Sequence, residues 1–223
     1  MKKVNFINTY KKILSWIYPN KCICCKNIIS FDKNICDKCI SSIRGNSKLT
    51  KIFHENSSLV LCASAIKYDT NIKSAIWHFK FRNMKSYSNI FSEEMYIAVS
   101  TYFKNINFDY ISCVPLHKNK FRQRGYNQSE LLAKSLSKKL NAQFIPILIK
   151  NKNNLSQHDL SFAEREKNIK GVYSINNCVS IDKSKNLLLC DDIITTGNTL
   201  KECVKTLKDN GFDNVYCVTL AYV

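Results

Sequence analysis

Short apolar runs alternate with stretches of helical periodicity over most of the chain. Six runs have the length and composition of strands, and they span residues 59–67, 108–114, 144–148, 172–175, 187–190 and 215–220. Apolar residues at helical spacing predict helices over residues 86–102, from Asn127 to about residue 140, and after Thr199. Strands that alternate with helices predict an α/β fold with a mainly parallel sheet and right-handed crossovers.

The first 48 residues do not follow this pattern. Apolar residues at helical spacing predict an amphipathic N-terminal helix that packs on its own protein, with a membrane-surface role as the alternative. Lysines interrupt any signal-peptide core, and the uncharged apolar stretches are too short to span a membrane. We therefore expect no membrane insertion. The change of pattern predicts two units, an N-terminal module of residues 1–48 and a larger domain of residues 49–223.

Four of the eleven cysteines form two CxxC pairs, Cys22-x2-Cys25 and Cys36-x2-Cys39. Two such pairs can bring four thiolates to the corners of a tetrahedron, which is the geometry of a structural Zn²⁺ site. A region of this size cannot bury a core, so metal binding would replace one. A disulfide or a redox function is the alternative, and the second pair argues against it. Abundant cysteine without a secretory signal also favours a reducing cytoplasm.

The formal net charge of +17 is typical of proteins that bind nucleic acids. Most of this charge is lysine spread along the chain beside abundant asparagine and isoleucine, a pattern that the codon usage of an AT-rich genome also produces. No helix-turn-helix, cold-shock or RRM signature accompanies the charge. Charge alone therefore leaves DNA or RNA binding undecided.

The most informative motif lies at residues 187–199. An apolar strand ends in Asp191 and Asp192, and a Thr-Thr-Gly-Asn-Thr turn then leads into a helix. Thr199 and Glu202 have the spacing of a capping box for that helix. Backbone N–H groups of the turn and the helix dipole would hold a phosphate, and the carboxylates would accept hydrogen bonds from vicinal sugar hydroxyls. The motif thus predicts a site for a ribose 5-phosphate, and an ordinary strand–turn–helix with capping acids is the alternative.

This motif resembles the PRPP-binding signature of type I phosphoribosyltransferases. Further motifs occur in the order seen in the ComF (competence protein F) family: Val114-Pro-Leu-His-Lys118, Arg122-x-Arg-Gly-Tyr-Asn-Gln128, Gln157-x2-Leu-Ser161 and Glu164-Arg165-x2-Asn168. The chain is identified as a member of that family from about residue 18 to residue 222. The resemblance implies a phosphoribosyltransferase-like domain, preceded by a four-Cys zinc module.

The resemblance also implies roles for the residues of the acidic motif. Asp191 and Asp192 would bind the ribose 2- and 3-hydroxyls. The turn that follows would hold the 5-phosphate, and its residues are Thr195, Thr196, Gly197, Asn198 and Thr199.

Other motifs would contact the pyrophosphate group. The turn Leu116, His117 and Lys118 resembles the pyrophosphate loop, with Lys118 as its cation. Residues 151–168 resemble a mobile loop that closes over the site and carries Arg165, so Lys118 and Arg165 are the implied catalytic residues.

Three further basic residues are left with two interpretations each. Arg122 and Arg124 are either phosphate ligands or part of a solvated basic loop. Lys80 resembles a family lysine, or else it lies exposed between two core aromatic residues.

Two functions are consistent with the resemblance. The first is Mg-dependent pentosyl transfer from PRPP to an unknown acceptor, with structural Zn and with release of pyrophosphate. The second is a non-catalytic role in natural transformation, in which the pocket only binds PRPP or a nucleic-acid 5-phosphate, and a competence helicase and single-stranded DNA are the candidate partners. Lys150 and Asn154 replace the usual Arg and Thr next to the mobile loop, which would weaken catalysis while sparing PRPP binding.

Overall fold

A computed structural model describes residues 19–53, 59–151, 171–178 and 180–223. The predicted N-terminal helix and the predicted mobile loop, including Asn154 and Arg165, lie outside these residues. The described helices are α1 (Asp37–Ile43), α2 (Thr70–Phe81), α3 (Tyr87–Tyr102), α4 (Lys118–Arg124), α5 (Gln128–Leu140) and α6 (Asn198–Asp209). The described strands are β1 (Lys48–Phe53), β2 (Leu59–Lys67), β3 (Tyr110–Cys113), β4 (Gln143–Phe144), β5 (Leu148–Lys150), β6 (Tyr173–Ile175), β7 (Asn186–Ile194) and β8 (Asn214–Tyr222).

Six strands form the main sheet in the order β1-β2-β8-β7-β3-β4. Only β1 runs antiparallel to its neighbour, and the other four pairings are parallel. Strands β5 and β6 form a separate antiparallel pair. The predicted α/β fold with a mainly parallel sheet is therefore confirmed.

Helices cover both faces of the central strand β7. Leu188 belongs to a core cluster that also holds Phe79 of α2 and Met95 of α3, whereas Leu187 belongs to a second cluster with Val204 of α6. Because successive residues of a strand point to opposite faces, one apolar run can supply both clusters. This placement explains the uniformly apolar composition of residues 187–190.

The four-Cys region packs against α3 on the first of these faces. Cys22 and Ile43 lie in the same core cluster as Met95. The Arg44 guanidinium lies 3.3 Å from the carboxylate of Glu94, a residue of α3 that is 6% exposed. The region therefore shares a core with the larger domain, although it is too small to bury a core of its own.

Several elements differ from the sequence-based expectations. The run at 144–148 is divided between β4 and the separate β5, and the run at 172–175 pairs with β5 instead of joining the main sheet. Residues 118–124 form a helix and not a basic loop, and β1 and α2 have no predicted counterpart. The acidic strand extends through Ile194, because β8 continues to pair with it beyond residue 190.

Candidate functional site

The acid pair lies at the carboxyl edge of the sheet, beside a gap. Pairing between β7 and β3 ends at Cys190, whereas pairing between β7 and β8 continues to Ile194. Asp191 and Asp192 therefore have a neighbouring strand on one side only. In open α/β sheets this edge is where ligands bind.

The start of α5 fills part of the gap and contacts the first acid. The Ser129 hydroxyl donates a hydrogen bond of 2.9 Å to Asp191 Oδ1, which also accepts one from the Asp192 N–H at 2.8 Å. Asn127, the N-cap of α5, fixes this helix end: it accepts from the Ser129 N–H at 3.1 Å and donates to the Val114 carbonyl at 3.0 Å. The predicted start of this helix at Asn127 is confirmed.

The environment of Asp191 favours its neutral form. Burial, followed by the negative charge of Asp192, raises the pKa of Asp191 to about 7, although the hydrogen bonds from Asp192 and Ser129 act in the opposite direction. Asp191 is 9% exposed. A carboxyl group with this pKa can accept or donate a hydrogen bond near neutral pH, depending on its protonation state.

Asp192 forms an ion pair with Lys80 of α2. The Lys80 ammonium lies 2.8 Å from Asp192 Oδ2, and both side chains are largely buried, at 18% and 15% exposed. The Gln128 side chain donates to the Lys80 carbonyl at 3.3 Å, and the Tyr126 hydroxyl donates to the Phe79 carbonyl. Lys80 is therefore a residue of the site, and the expectation of an exposed lysine between two core aromatics is wrong: Phe79 is buried but Phe81 is 52% exposed.

The turn after the acid pair leads directly into α6. Thr195 and Thr196 are exposed, and Gly197 has a φ of 76°, a left-handed conformation that favours glycine. Gly197 is the N-cap residue and has no side chain to accept hydrogen bonds from the first turn, which begins at Asn198. The expected capping box is wrong, because Glu202 instead accepts a hydrogen bond from the Gly171 N–H at 2.6 Å. The helix N-terminus is thus suited to an anion.

The predicted pyrophosphate turn also precedes a helix. His117 is the N-cap of α4, and its ring Nδ1 accepts from the Asn119 N–H at 3.2 Å. Leu116 and His117 are partly buried, and Lys118 is exposed in the first turn of α4. His117 therefore stabilises the start of α4. The role of this turn in ligand binding stays a prediction.

The two arginines of α4 differ in their surroundings. Arg122 is exposed. Arg124 lies 4.8 Å from the centroid of the Phe81 ring and donates a hydrogen bond of 3.0 Å to Gln128. Arg124 therefore holds α4 against the end of α2, next to Lys80.

Four basic residues from three elements lie around the acid pair. Lys150, at the end of β5, lies over the Tyr173 ring at 5.3 Å, and burial lowers its pKa, assisted by the charge of Lys120 and opposed by that of Asp191. The pKa of Lys120 is lowered mainly by burial and further by the charges of Arg124 and Lys80. The four basic residues are Lys80, Lys120, Arg124 and Lys150. Such a cluster is suited to a ligand with several negative charges.

The base of the predicted mobile loop adjoins this cluster. Lys150 pairs with Tyr173 in the β5–β6 ladder, and the Asn151 N–H donates to the Val172 carbonyl at 2.9 Å. Residues 150–151 and 172–173 are thus paired next to the basic cluster. The loop itself, with Arg165, lies outside the described residues, and its closure over the site stays a prediction.

The second candidate site is the four-Cys cluster. The sulfur atoms of Cys22, Cys25, Cys36 and Cys39 all lie within 4.8 Å of one another. Two of them, Cys25 and Cys36, are 3.7 Å apart. Tetrahedral zinc with Zn–S bonds of about 2.3 Å requires sulfur separations of roughly 3.8 Å, so these residues fit a structural zinc ion.

Backbone donors prepare one of the cysteines for metal binding. Burial alone would raise the pKa of Cys22, but N–H groups of Cys36, Cys25 and Cys24 outweigh it and lower the pKa to about 6. Cys24, whose pKa burial raises to about 12, is not part of the cluster. The thiolate required of a zinc ligand is therefore favoured at Cys22.

Comparison with known proteins identifies the family. The family model described as PRTase-CE matches residues 85–223. The chain belongs to this family. Competence protein F of Haemophilus influenzae is 27% identical over 215 residues, covering 95% of this chain and 87% of that protein. The DNA utilization protein YhgH of Escherichia coli K12 is 24% identical over 195 residues, covering 85% of each chain.

The relationship to competence protein F confirms the ComF resemblance recognised from the motifs. Among solved structures, an adenine phosphoribosyltransferase is similar with a TM-score of 0.40 and 13% identity, covering 78% of this chain and 85% of that one. No helix in the described ranges is both long enough and apolar enough to cross a membrane.

The zinc assignment predicts the effect of removing one ligand. Purified protein should contain about one zinc ion per chain, and Cys36→Ser should lose most of it together with about 4 kcal/mol or more of unfolding free energy. Metal analysis and chemical denaturation measure the two effects. Cys178→Ser is the matched control, because Cys178 is exposed and outside the cluster. Full zinc content in Cys36→Ser would show that the ligands are assigned wrongly.

The pKa of Asp191 predicts that its charge reduces stability. The pKa rises from 3.8 to about 7 on folding, so the folded chain binds more protons between these values and stability falls as pH increases across them. Asp191→Asn should therefore have a higher melting temperature than the parent, with a difference that grows above about pH 4 and levels off above about pH 7. Thermal unfolding across this range measures it, and a difference that shrinks with rising pH would contradict the prediction.

Proposed function

We propose that the protein binds PRPP at the carboxyl edge of its sheet and transfers the phosphoribosyl group to an unidentified acceptor. The proposal rests mainly on one observation. Asp191 and Asp192 precede a turn that leads into α6, and Gly197, the N-cap of α6, has no side chain to cap the first turn of that helix. Carboxylates suit the ribose hydroxyls, and the helix N-terminus suits the 5-phosphate. The relationship to a family described as PRTase-CE supports this proposal.

In this proposal the basic cluster binds the leaving group. Cleavage of the bond between C1′ and pyrophosphate builds negative charge on the phosphates and positive charge on the sugar ring. The negative charge on the phosphates would be stabilised by Lys80, Lys120 and Lys150, together with Lys118 and with Arg165 of the loop. Because the sugar ring itself becomes positively charged, no protein nucleophile is needed. The protein then orients the acceptor at C1′ and excludes water.

Magnesium enters this proposal as part of the substrate. Among the described residues, the only group of three or more metal-ligating side chains is the four-Cys cluster. The acid pair alone supplies two carboxylates, so Mg²⁺ would be held mainly by phosphate and ribose oxygens of PRPP, as is common for this ion. Bound in that way, it would neutralise charge on the pyrophosphate.

The second candidate function is a non-catalytic role in DNA uptake. It is favoured by the relatives, which are named for competence and for DNA utilization. In that case the same pocket would bind PRPP or a nucleic-acid 5-phosphate only as a ligand, in a cytoplasmic protein that acts beside a competence helicase. Both candidate functions assume the same two proposed units, which meet at residue 48, and the same structural zinc ion.

Calorimetric titration of Mg-PRPP is the direct test of the pocket. Asp191→Asn combined with Asp192→Asn should abolish the binding heat, because the ribose hydroxyls lose both carboxylate acceptors, at a cost of at least tenfold in affinity. Asp213→Asn, which removes an acid before β8 at the opposite edge of the sheet, should bind normally. Undetectable binding of Mg-PRPP by the parent protein would refute the transferase function, and would leave a nucleic-acid 5-phosphate as the ligand of the non-catalytic function.

Release of pyrophosphate separates the two functions. A transferase should release pyrophosphate from Mg-PRPP in the presence of the correct amine or base, and the double Asn variant should not. A parent protein that binds Mg-PRPP but releases no pyrophosphate with a panel of amines and bases supports the non-catalytic function. Asp213→Asn again serves as the control.

A further inference from the structure

The end of helix α2 is held by side chains from a distant part of the chain. An α-helix leaves its last four carbonyl groups without N–H partners from the same helix. In α2 the Gln128 side chain donates a hydrogen bond of 3.3 Å to the Lys80 carbonyl, and the Tyr126 hydroxyl donates to the Phe79 carbonyl. Two of these four carbonyls are therefore capped by the segment that leads into α5.

Gln128 is buried between two partners. It is 1% exposed. Its side-chain oxygen accepts a hydrogen bond of 3.0 Å from the Arg124 guanidinium, while its side-chain nitrogen donates to the Lys80 carbonyl. Because a guanidinium can only donate and a carbonyl can only accept, the amide has one orientation that satisfies both partners. A buried amide with both polar atoms in use fixes the relative position of the groups that it joins.

The residue next to Gln128 holds the other half of the acid pair. Ser129 donates to Asp191 at 2.9 Å, whereas Gln128 holds the main chain of Lys80, whose ammonium lies 2.8 Å from Asp192. Two successive residues of α5 thus act on the two acids, Ser129 directly and Gln128 through Lys80. The lysine side chain is a flexible four-carbon chain, so the place of its main chain decides which anions its ammonium reaches.

We propose that Gln128 and Tyr126 are positioning residues of the site. They fix the end of α2, so that the Lys80 ammonium stays beside Asp192, where the pyrophosphate group of the ligand would bind. The identity of this ligand rests on the proposed function. A cation that is already held in place needs no reorganisation when negative charge develops on the leaving group. Gln128 would therefore affect ligands that carry pyrophosphate and have little effect on ribose 5-phosphate, which lacks it.

Calorimetric titration of two ligands separates positioning from a general structural role. Gln128→Met keeps an unbranched side chain of similar length and removes both the donor and the acceptor. Its affinity for Mg-PRPP should fall about fivefold, the effect of losing one hydrogen bond, while its affinity for ribose 5-phosphate should change by less than about twofold. Lys80→Met should show the same selective loss. Adding Gln128→Met to Lys80→Met should cause no further loss, because Gln128 acts through Lys80.

Chemical labelling of Lys80 tests the positioning without any ligand. An ammonium paired with Asp192 and only 18% exposed should react slowly with acetic anhydride. Gln128→Met should raise this rate about fivefold relative to Lys73, an exposed lysine on the same helix, as peptide mass spectrometry measures. Tyr126→Phe removes only the hydroxyl bonded to the Phe79 carbonyl, keeps the ring, and should raise the rate in the same direction.

Ser137→Ala is the matched control for both measurements. Ser137 is 7% exposed, and its hydroxyl donates to the Lys134 carbonyl near the other end of α5. The variant therefore also loses a hydrogen bond of a buried polar side chain on α5, but one without contact to α2. Its Lys80 labelling rate and its two ligand affinities should equal those of the parent protein.

Each outcome decides for or against the proposal. An unchanged Lys80 labelling rate in both Gln128→Met and Tyr126→Phe overturns it. An equal loss of affinity for Mg-PRPP and ribose 5-phosphate, or additive losses in the double variant with Lys80→Met, also overturns it, since these results indicate a structural role. If the parent protein binds no Mg-PRPP, the proposed transfer fails and the labelling rate alone decides whether Gln128 positions Lys80. The two failures are therefore distinguishable.

Discussion

The burial of two adjacent carboxylates at the sheet edge is the constraint on which the site depends. A buried carboxylate loses hydration, and a second negative charge beside it adds repulsion. The chain offsets this cost with one cation and one hydroxyl from different helices, Lys80 at the end of α2 and Ser129 at the start of α5. The acid pair therefore fixes two helix ends against β7, in addition to presenting acceptors to a ligand.

The topology explains why residues far apart in sequence meet there. Parallel strands deliver their carboxyl ends to one edge, and the early end of β3 at Cys113 leaves a gap that the start of α5 partly fills. Four basic residues from α2, α4 and β5 surround two acids, so the free site has an excess of positive charge. Partly buried lysines with lowered pKa values are costly without a counter-charge. A ligand with several phosphates would remove that cost, which is the electrostatic argument for a phosphorylated sugar over a neutral one.

Sequence predicts the features that local pattern determines. Three features carry their own local signal: the uniformly apolar run of β7, the glycine turn before α6 and the spacing of the four cysteines. The first and last residues of β2 are also predicted correctly. Other features depend on distant partners. Lys80 could not be assigned because its environment is set by Asp192, far along the chain. Helix α4 buries no residue, so no apolar face indicates it. The sequence likewise gives no signal for the strand that pairs with a three-residue strand such as β5.

The end of helix α2 links the acid pair to helix α4. Its last turn directs Lys80 toward the acid pair and exposes Phe81 beside Arg124. The Lys80 carbonyl accepts a hydrogen bond from Gln128, which itself accepts one from Arg124. A ligand that draws the Lys80 ammonium from Asp192 toward phosphate acts on a helical turn that is hydrogen-bonded through Gln128 to Arg124 of α4. Binding of a sugar phosphate at Lys80 therefore has a short physical route to α4, through one helix end and one glutamine.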